Sequence, residues 1–163
     1  MTQRTLISGC LLCLVILIVF SGPVRAGEFE SRYAAISYTD MGVLREFNNE
    51  LYMGRLAAQM RNRGDTLEEE VAAKIDFIVE KVMTVLDMYP RPLKFSIEIH
   101  EDEDGVQEQF MQLYNVDVDY IAFYSPHKNR VFFSADNGML RVVAHEIGHV
   151  VAENYFTVSP PQR

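Results

Sequence analysis

One segment restricts this chain more than any other. Near its C-terminal end, His145, Glu146 and His149 interrupt a run otherwise made of Val142, Val143, Ala144, Ile147, Gly148, Val150 and Val151, with Leu140 two residues before it. Between Val142 and Val151 those three are the only ionisable side chains. A run this apolar needs a surface to pack on, and its three- and four-residue spacing is that of a helix against a core. On a helix the two histidines, four apart, lie on one face one turn from each other. A buried-looking helix carries ionisable groups only where something binds them, since an unpaired polar group in apolar surroundings is costly.

The spacing has a chemical meaning only in that helical setting. Two imidazoles one turn apart can reach the same ion and supply two nitrogens of a tetrahedral zinc site. Glu146 projects from an adjacent part of the face, close enough to address a zinc-coordinated water without being a ligand. That is the position of a general base. A bare H-E-x-x-H arises by chance in roughly one chain of this size in a few hundred, and the apolar flanks sharpen the signal.

The rest of the chain bounds the alternatives. Its 163 residues, 48% hydrophobic and 23% charged, suit a single domain. A formal charge of -8 argues against nucleic acid as a partner and against a polybasic membrane patch. The two cysteines, Cys10 and Cys13, both fall in the first apolar run, so no disulfide or thiolate site is expected beyond it. That run reads as a secretory leader over residues 1–26: Arg4 gives the positive start, Leu6 to Phe20 the apolar stretch, and Val24-Arg25-Ala26 the small-residue cleavage site. The apolar stretch falls short of the roughly twenty residues of a spanning helix. Cleavage after Ala26 is therefore expected, giving an exported protein, periplasmic or secreted, with no stable membrane anchor. Residues 27–163 form its one domain.

That domain reads as α+β. Residues 29–39 form a strand, and Asp40 caps a helix through about Met60. Thr66 and Glu69 form a capping box ahead of a helix on Val71, Ile75, Ile78, Val82 and Leu86 that ends before Pro90. Alternating Phe95, Ile97 and Ile99 mark a strand over 93–99. A short helix runs from Gly105 to about Tyr114. Tyr120 to Tyr124 and Arg130 to Ser134 pair as a hairpin through residues 125–129. Asp136 or Asn137 caps the last helix.

Taken together, Val142 to Val151, the aromatic hairpin before them, and Tyr155-Phe156 followed by Ser159-Pro160-Pro161 resemble the zincin metallopeptidases, in particular the small bacterial gluzincins called minigluzincins. The resemblance implies a zincin-like fold, with a small twisted mixed sheet packed against helices that include the motif helix. It implies zinc-dependent hydrolysis of peptide bonds, with His145 and His149 as ligands and Glu146 as general base and acid. A peptide or protein substrate would lie extended along the edge of one hairpin strand. In the gluzincins a third ligand, a glutamate, follows the second histidine by roughly twenty residues on a further helix. Arg163 stands fourteen residues beyond His149, so the expectation is a domain lacking that C-terminal helix. The alternative expectation is a degenerate zincin-fold protein that binds zinc weakly or not at all and serves as a non-catalytic exported interaction domain.

Other candidates for ligation or catalysis are weaker. Glu153 shares the histidine face, but three turns of one helix spread over about 12 Å of axis cannot wrap a tetrahedral ion. His127 is expected in a solvated hairpin turn. His100 is expected in a solvated acidic turn with Glu101, Asp102, Glu103 and Asp104, a stretch that lacks the first and last carboxylates of a calcium loop. Ser37, Ser125 and Ser134 have no nucleophile setting, and there is no glycine-rich phosphate loop.

Overall fold

The computed structural model describes residues 26–61 and 63–158. The expected leader, up to Arg25, and Ser159-Pro160-Pro161 lie outside the described residues.

The described residues open with two strands where the sequence suggested one. Strand β1 (Gly27–Glu30) turns at Ser31-Arg32-Tyr33 and returns antiparallel as β2 (Ala34–Tyr38), with Glu30 opposite Ala35. No glycine or proline marks this turn. It is closed by Ser31, whose N–H donates to the Ala34 carbonyl at 2.7 Å, and by Asp76 from a later helix, whose carboxylate accepts the Arg32 and Tyr33 N–H groups at 3.1 and 3.3 Å.

Asp40 caps α1 (Met41–Glu50) as its residue type suggests, accepting from the Gly42 and Val43 N–H groups. The helix ends ten residues sooner than its pattern implied. Leu51 leaves helical geometry and buries its side chain completely, and Gly54, at φ +52, starts a 3₁₀ turn over Gly54–Gln59. A left-handed φ of this kind is one that glycine adopts without strain.

The capping box at Thr66 and Glu69 forms as expected, and α2 (Leu67–Leu86) buries Val71, Ile75, Ile78, Val79 and Met83. Strand β3 (Phe95–His100) alternates as its sequence does, with Phe95, Ile97 and Ile99 inward. Helix α3 (Glu103–Tyr114) starts two residues earlier than expected because Asp102 caps it through the Gly105 N–H. The hairpin is present as β4 (Ala122–Ser125) and β5 (Arg130–Ser134).

These strands make one mixed sheet in the order β1-β2-β3-β5-β4, with β2, β3 and β5 parallel and antiparallel strands at both edges. The fold is α+β. Helices α1 and α2 and the last helix cover one face, packing Leu44, Phe47, Ile75 and Val79 against Ile36, Ile97, Ile99 and Phe133. Helix α3 covers part of the other, where Val106 joins Phe123 and Phe132 and Phe110 packs against them. Phe132 and Phe133 point to opposite faces, so one dipeptide anchors both layers.

The last helix, α4 (Leu140–Val158), does not begin at Asp136 or Asn137. Those two residues lie in a separate 3₁₀ turn, Ala135–Asn137, where Asn137 Nδ2 donates to Glu103 Oε1 at 2.8 Å. The first α4 bonds instead run from the Val142 and Val143 N–H groups to the Met139 carbonyl. The break is a packing effect. A Cβ on Gly138 would lie 2.7 Å from Phe47 Cδ2, so the chain passes closer to α1 there than any other residue allows.

Candidate metal centre

Helix α4 is divided lengthwise by burial. Val143, Ile147, Val150 and Val151 are fully buried against the sheet and α2, whereas His145 and His149 stand on the exposed side. This corrects the sequence picture of a helix buried around its motif. Val142, Ala144, Gly148 and Ala152 line the half-covered flanks, and of the three ionisable groups only Glu146 is buried, at 8% exposure.

The imidazoles meet as the i, i+4 spacing requires. Their Nε2 atoms are 3.2 Å apart, with the rings perpendicular and their centroids 4.7 Å apart. Two nitrogens bound at 2.0–2.1 Å with a tetrahedral angle between them must lie about 3.3 to 3.4 Å apart. The pair therefore fits a zinc ion with little adjustment. In its absence one ring N–H can serve the other's lone pair at the same distance.

Glu146 is buried on the flank of α4 that meets the sheet edge, close enough to His145 and His149 to feel their charge. The backbone N–H of Tyr124 in the edge strand β4 lies near the Glu146 carboxylate and favours the charged form. Burial pushes its pKa above the ordinary carboxylate value, outweighing the opposing pull of His149, His145 and the Tyr124 N–H. A carboxylate raised in this way is a better proton acceptor near neutral pH than a solvated one. His145 and Glu146 share a cleft of about 350 Å³ whose other walls are Ile121, Ala122, Arg141 and Val142. On the other flank of α4, a groove of about 660 Å³ runs between α2 and α4, lined by Phe77, Val82, Leu86, Ala144, Gly148 and both histidines among others. A larger cavity, about 920 Å³, lies between the β1–β2 turn and α2 and has neither histidine in its lining.

A second set of polar residues ties this helix to the hairpin, and sequence reasoning missed it. Tyr124 donates its hydroxyl to Asn129 Oδ1 at 2.9 Å, and Asn154 Nδ2 donates to the same oxygen at 3.1 Å and to the Val150 carbonyl at 2.9 Å. Asn129, at φ +46 in the hairpin turn, also donates to the Lys94 carbonyl. Burial, aided by Glu153, pushes the Tyr124 hydroxyl up to about 12, so it remains a donor. The only sequence signal was an asparagine inside a helix, which prefers a hydrogen-bonding partner to solvent there.

The remaining candidates resolve individually. Glu153 is exposed and accepts from the Thr157 hydroxyl within its own helix. His127 is exposed in the hairpin turn, as expected. His100 is not in a solvated turn: it ends β3, packs its ring 6.1 Å from that of Phe132, and places Nε2 3.4 Å from Glu98 Oε1. That contact lies within ion-pair range but lacks hydrogen-bond geometry, so the buried Nε2 has no hydrogen-bond partner. Burial holds the His100 pKa below its ordinary value, against the pull of Glu98, Asp102 and Glu108. The hydroxyls of Ser37, Ser125 and Ser134 are spent on Ile97, Tyr114 and Ile121.

Among the described residues, no three side chains of histidine, cysteine, aspartate or glutamate converge to hold a metal ion, and no helix is long and apolar enough to cross a membrane. No family model, curated protein or solved structure matches the chain.

Proposed function

We propose that this chain is an exported zinc-dependent metallopeptidase of the zincin type, resembling the small gluzincins. The observation that carries the reading is the pair of Nε2 atoms 3.2 Å apart, a spacing suited to zinc, with the buried Glu146 one residue away at the edge of the sheet. His145 and His149 would hold the ion. When bound, zinc acidifies a coordinated water and polarises a peptide carbonyl.

The chain's own groups supply the rest. Glu146, buried beside the Tyr124 N–H, takes a proton from the attacking water and returns it to the leaving amine. An extended peptide lies along β4, whose outer side no strand among the described residues pairs, and enters the cleft between Ala122 and His145. Asn154 and Asn129 keep the helix and that strand in register.

Glu146→Gln tests the reading, because the amide keeps the shape and loses the base. The variant should retain the wild-type zinc content while peptide hydrolysis falls by at least about a hundredfold. Unchanged hydrolysis would refute it. A second reading, a zincin-fold protein that binds zinc without turnover, draws on the absence of a third converging ligand among the described residues. Stable zinc content with no hydrolysis of any peptide in the wild-type chain would favour it.

A further inference from the structure

We propose that His145 and His149 also serve as a dimer contact: two copies of this chain pair their α4 helices antiparallel and hold one zinc ion with four imidazoles. The inference rests on the reading that these histidines bind zinc, and it adds a resting state to that site.

The exposed stripe of α4 carries Arg141, His145, His149 and Glu153 at successive four-residue steps. This stripe is self-complementary when reversed. If a two-fold axis passes level with Ile147, each residue faces the one equally far on the other side. His145 then meets His149 of the partner subunit, and Arg141 meets Glu153 of the partner subunit, each contact occurring twice. A parallel pairing would set Arg141 and Glu153 each against its own copy, so charge selects the antiparallel arrangement.

The surface beside the stripe permits the approach. Ala144, Gly148 and Ala152 succeed one another at the same spacing, and a Cβ on Gly148 would meet nothing within 4 Å. Small side chains let two helix axes come to the short end of the 8–10 Å range, where imidazoles from both can reach one ion. The groove of about 660 Å³ between α2 and α4 continues this strip and is apolar. Val85 in its lining is 82% exposed, and Leu86 beside it is exposed as well. A contiguous apolar surface of this kind marks an interface more than isolated surface residues do. Exposed Arg–Glu pairs contribute little affinity, so their part is register, while metal coordination and apolar burial supply the strength.

Four imidazoles fill a tetrahedral ion and leave no position for water or substrate. The dimer is accordingly a closed, non-hydrolysing form, and the separated chain is the one with a free coordination position.

Sedimentation velocity and zinc content, measured on the purified chain at tens of micromolar with zinc chloride or with EDTA, test this directly. Zinc should double the mass at one ion per two chains, and EDTA should reverse it. His149→Ala should stay at monomer mass in both conditions. Arg141→Glu should weaken the dimer about tenfold, and Arg141→Glu combined with Glu153→Arg should restore it, because the swapped pair is again complementary. A monomer with one zinc per chain would overturn the dimer and leave the metallopeptidase reading standing. Absence of zinc uptake would overturn both. A zinc-dependent dimer insensitive to the charge series would overturn the antiparallel pairing.

Discussion

Two glycines flank the start and the middle of α4, and replacing each by alanine should move stability in opposite directions. Removing a glycine from the unfolded ensemble favours the folded state by about 0.4 to 1 kcal/mol when the native backbone tolerates the change. Gly138 has φ -66, so its backbone does tolerate alanine. Its surroundings do not. The added Cβ would stand 2.7 Å from Phe47 Cδ2 and 3.1 Å from both Phe47 Cε2 and the Phe47 carbonyl oxygen. Phe47 is fully buried, with its ring 5.6 Å from that of Phe133, so it has nowhere to retreat. Overpacking of this sort costs about 1 to 3 kcal/mol, which outweighs the entropic gain and leaves a net loss of roughly 1 to 2 kcal/mol. For a domain of about 130 residues, that lowers the midpoint by about 4 to 8 °C. At Gly148 the balance reverses: nothing lies within 4 Å of the new Cβ, the residue is inside a helix, and alanine should raise stability by about 0.5 to 1 kcal/mol. Both variants are compared by thermal and urea unfolding in EDTA, which keeps metal out of the comparison. A Gly138→Ala protein as stable as wild type would refute the claim that contact with Phe47 sets where α4 begins.

Two further outcomes are expected. The His100 pKa lies below its ordinary value of 6.5, so the unfolded chain takes up that proton first; stability present above about pH 6.5 is lost as pH falls through that value toward the folded pKa. His100→Gln should lose less stability than wild type between pH 7 and pH 5 in urea titrations, and parallel slopes would contradict the burial argument. Expressed from Met1 in an exporting host, the protein should begin at Gly27, the first residue of β1; an intact mass that retains residues 1–26 would refute the expectation that they form a cleaved leader.

What could be read from the sequence follows how local each cause is. Asp40 and the Thr66–Glu69 box act within four residues, and the alternation of Phe95, Ile97 and Ile99 needs only a sheet to lie against, so these elements were legible. The β1–β2 turn was not, because its closing carboxylate, Asp76, comes from more than forty residues away. The start of α4 was misread for the same kind of reason: Asp136 and Asn137 are good caps by type, but Gly138 must fit against Phe47, and that contact overrides them. At the site, the histidine pair was legible because four residues on a helix is a distance as well as a spacing. Which side of the helix is open was not. Val143 and Ile147 are buried while Ala144 and Gly148 are half-covered, and apolar counting treats the four alike. That distinction carries chemical weight. The same helix turns its histidines outward, where an ion, a substrate or a second chain can reach them, and turns Glu146 inward, where burial raises its proton affinity. Neighbouring residues on one turn thus acquire opposite environments from the packing of β4 and α2, which no spacing within α4 encodes.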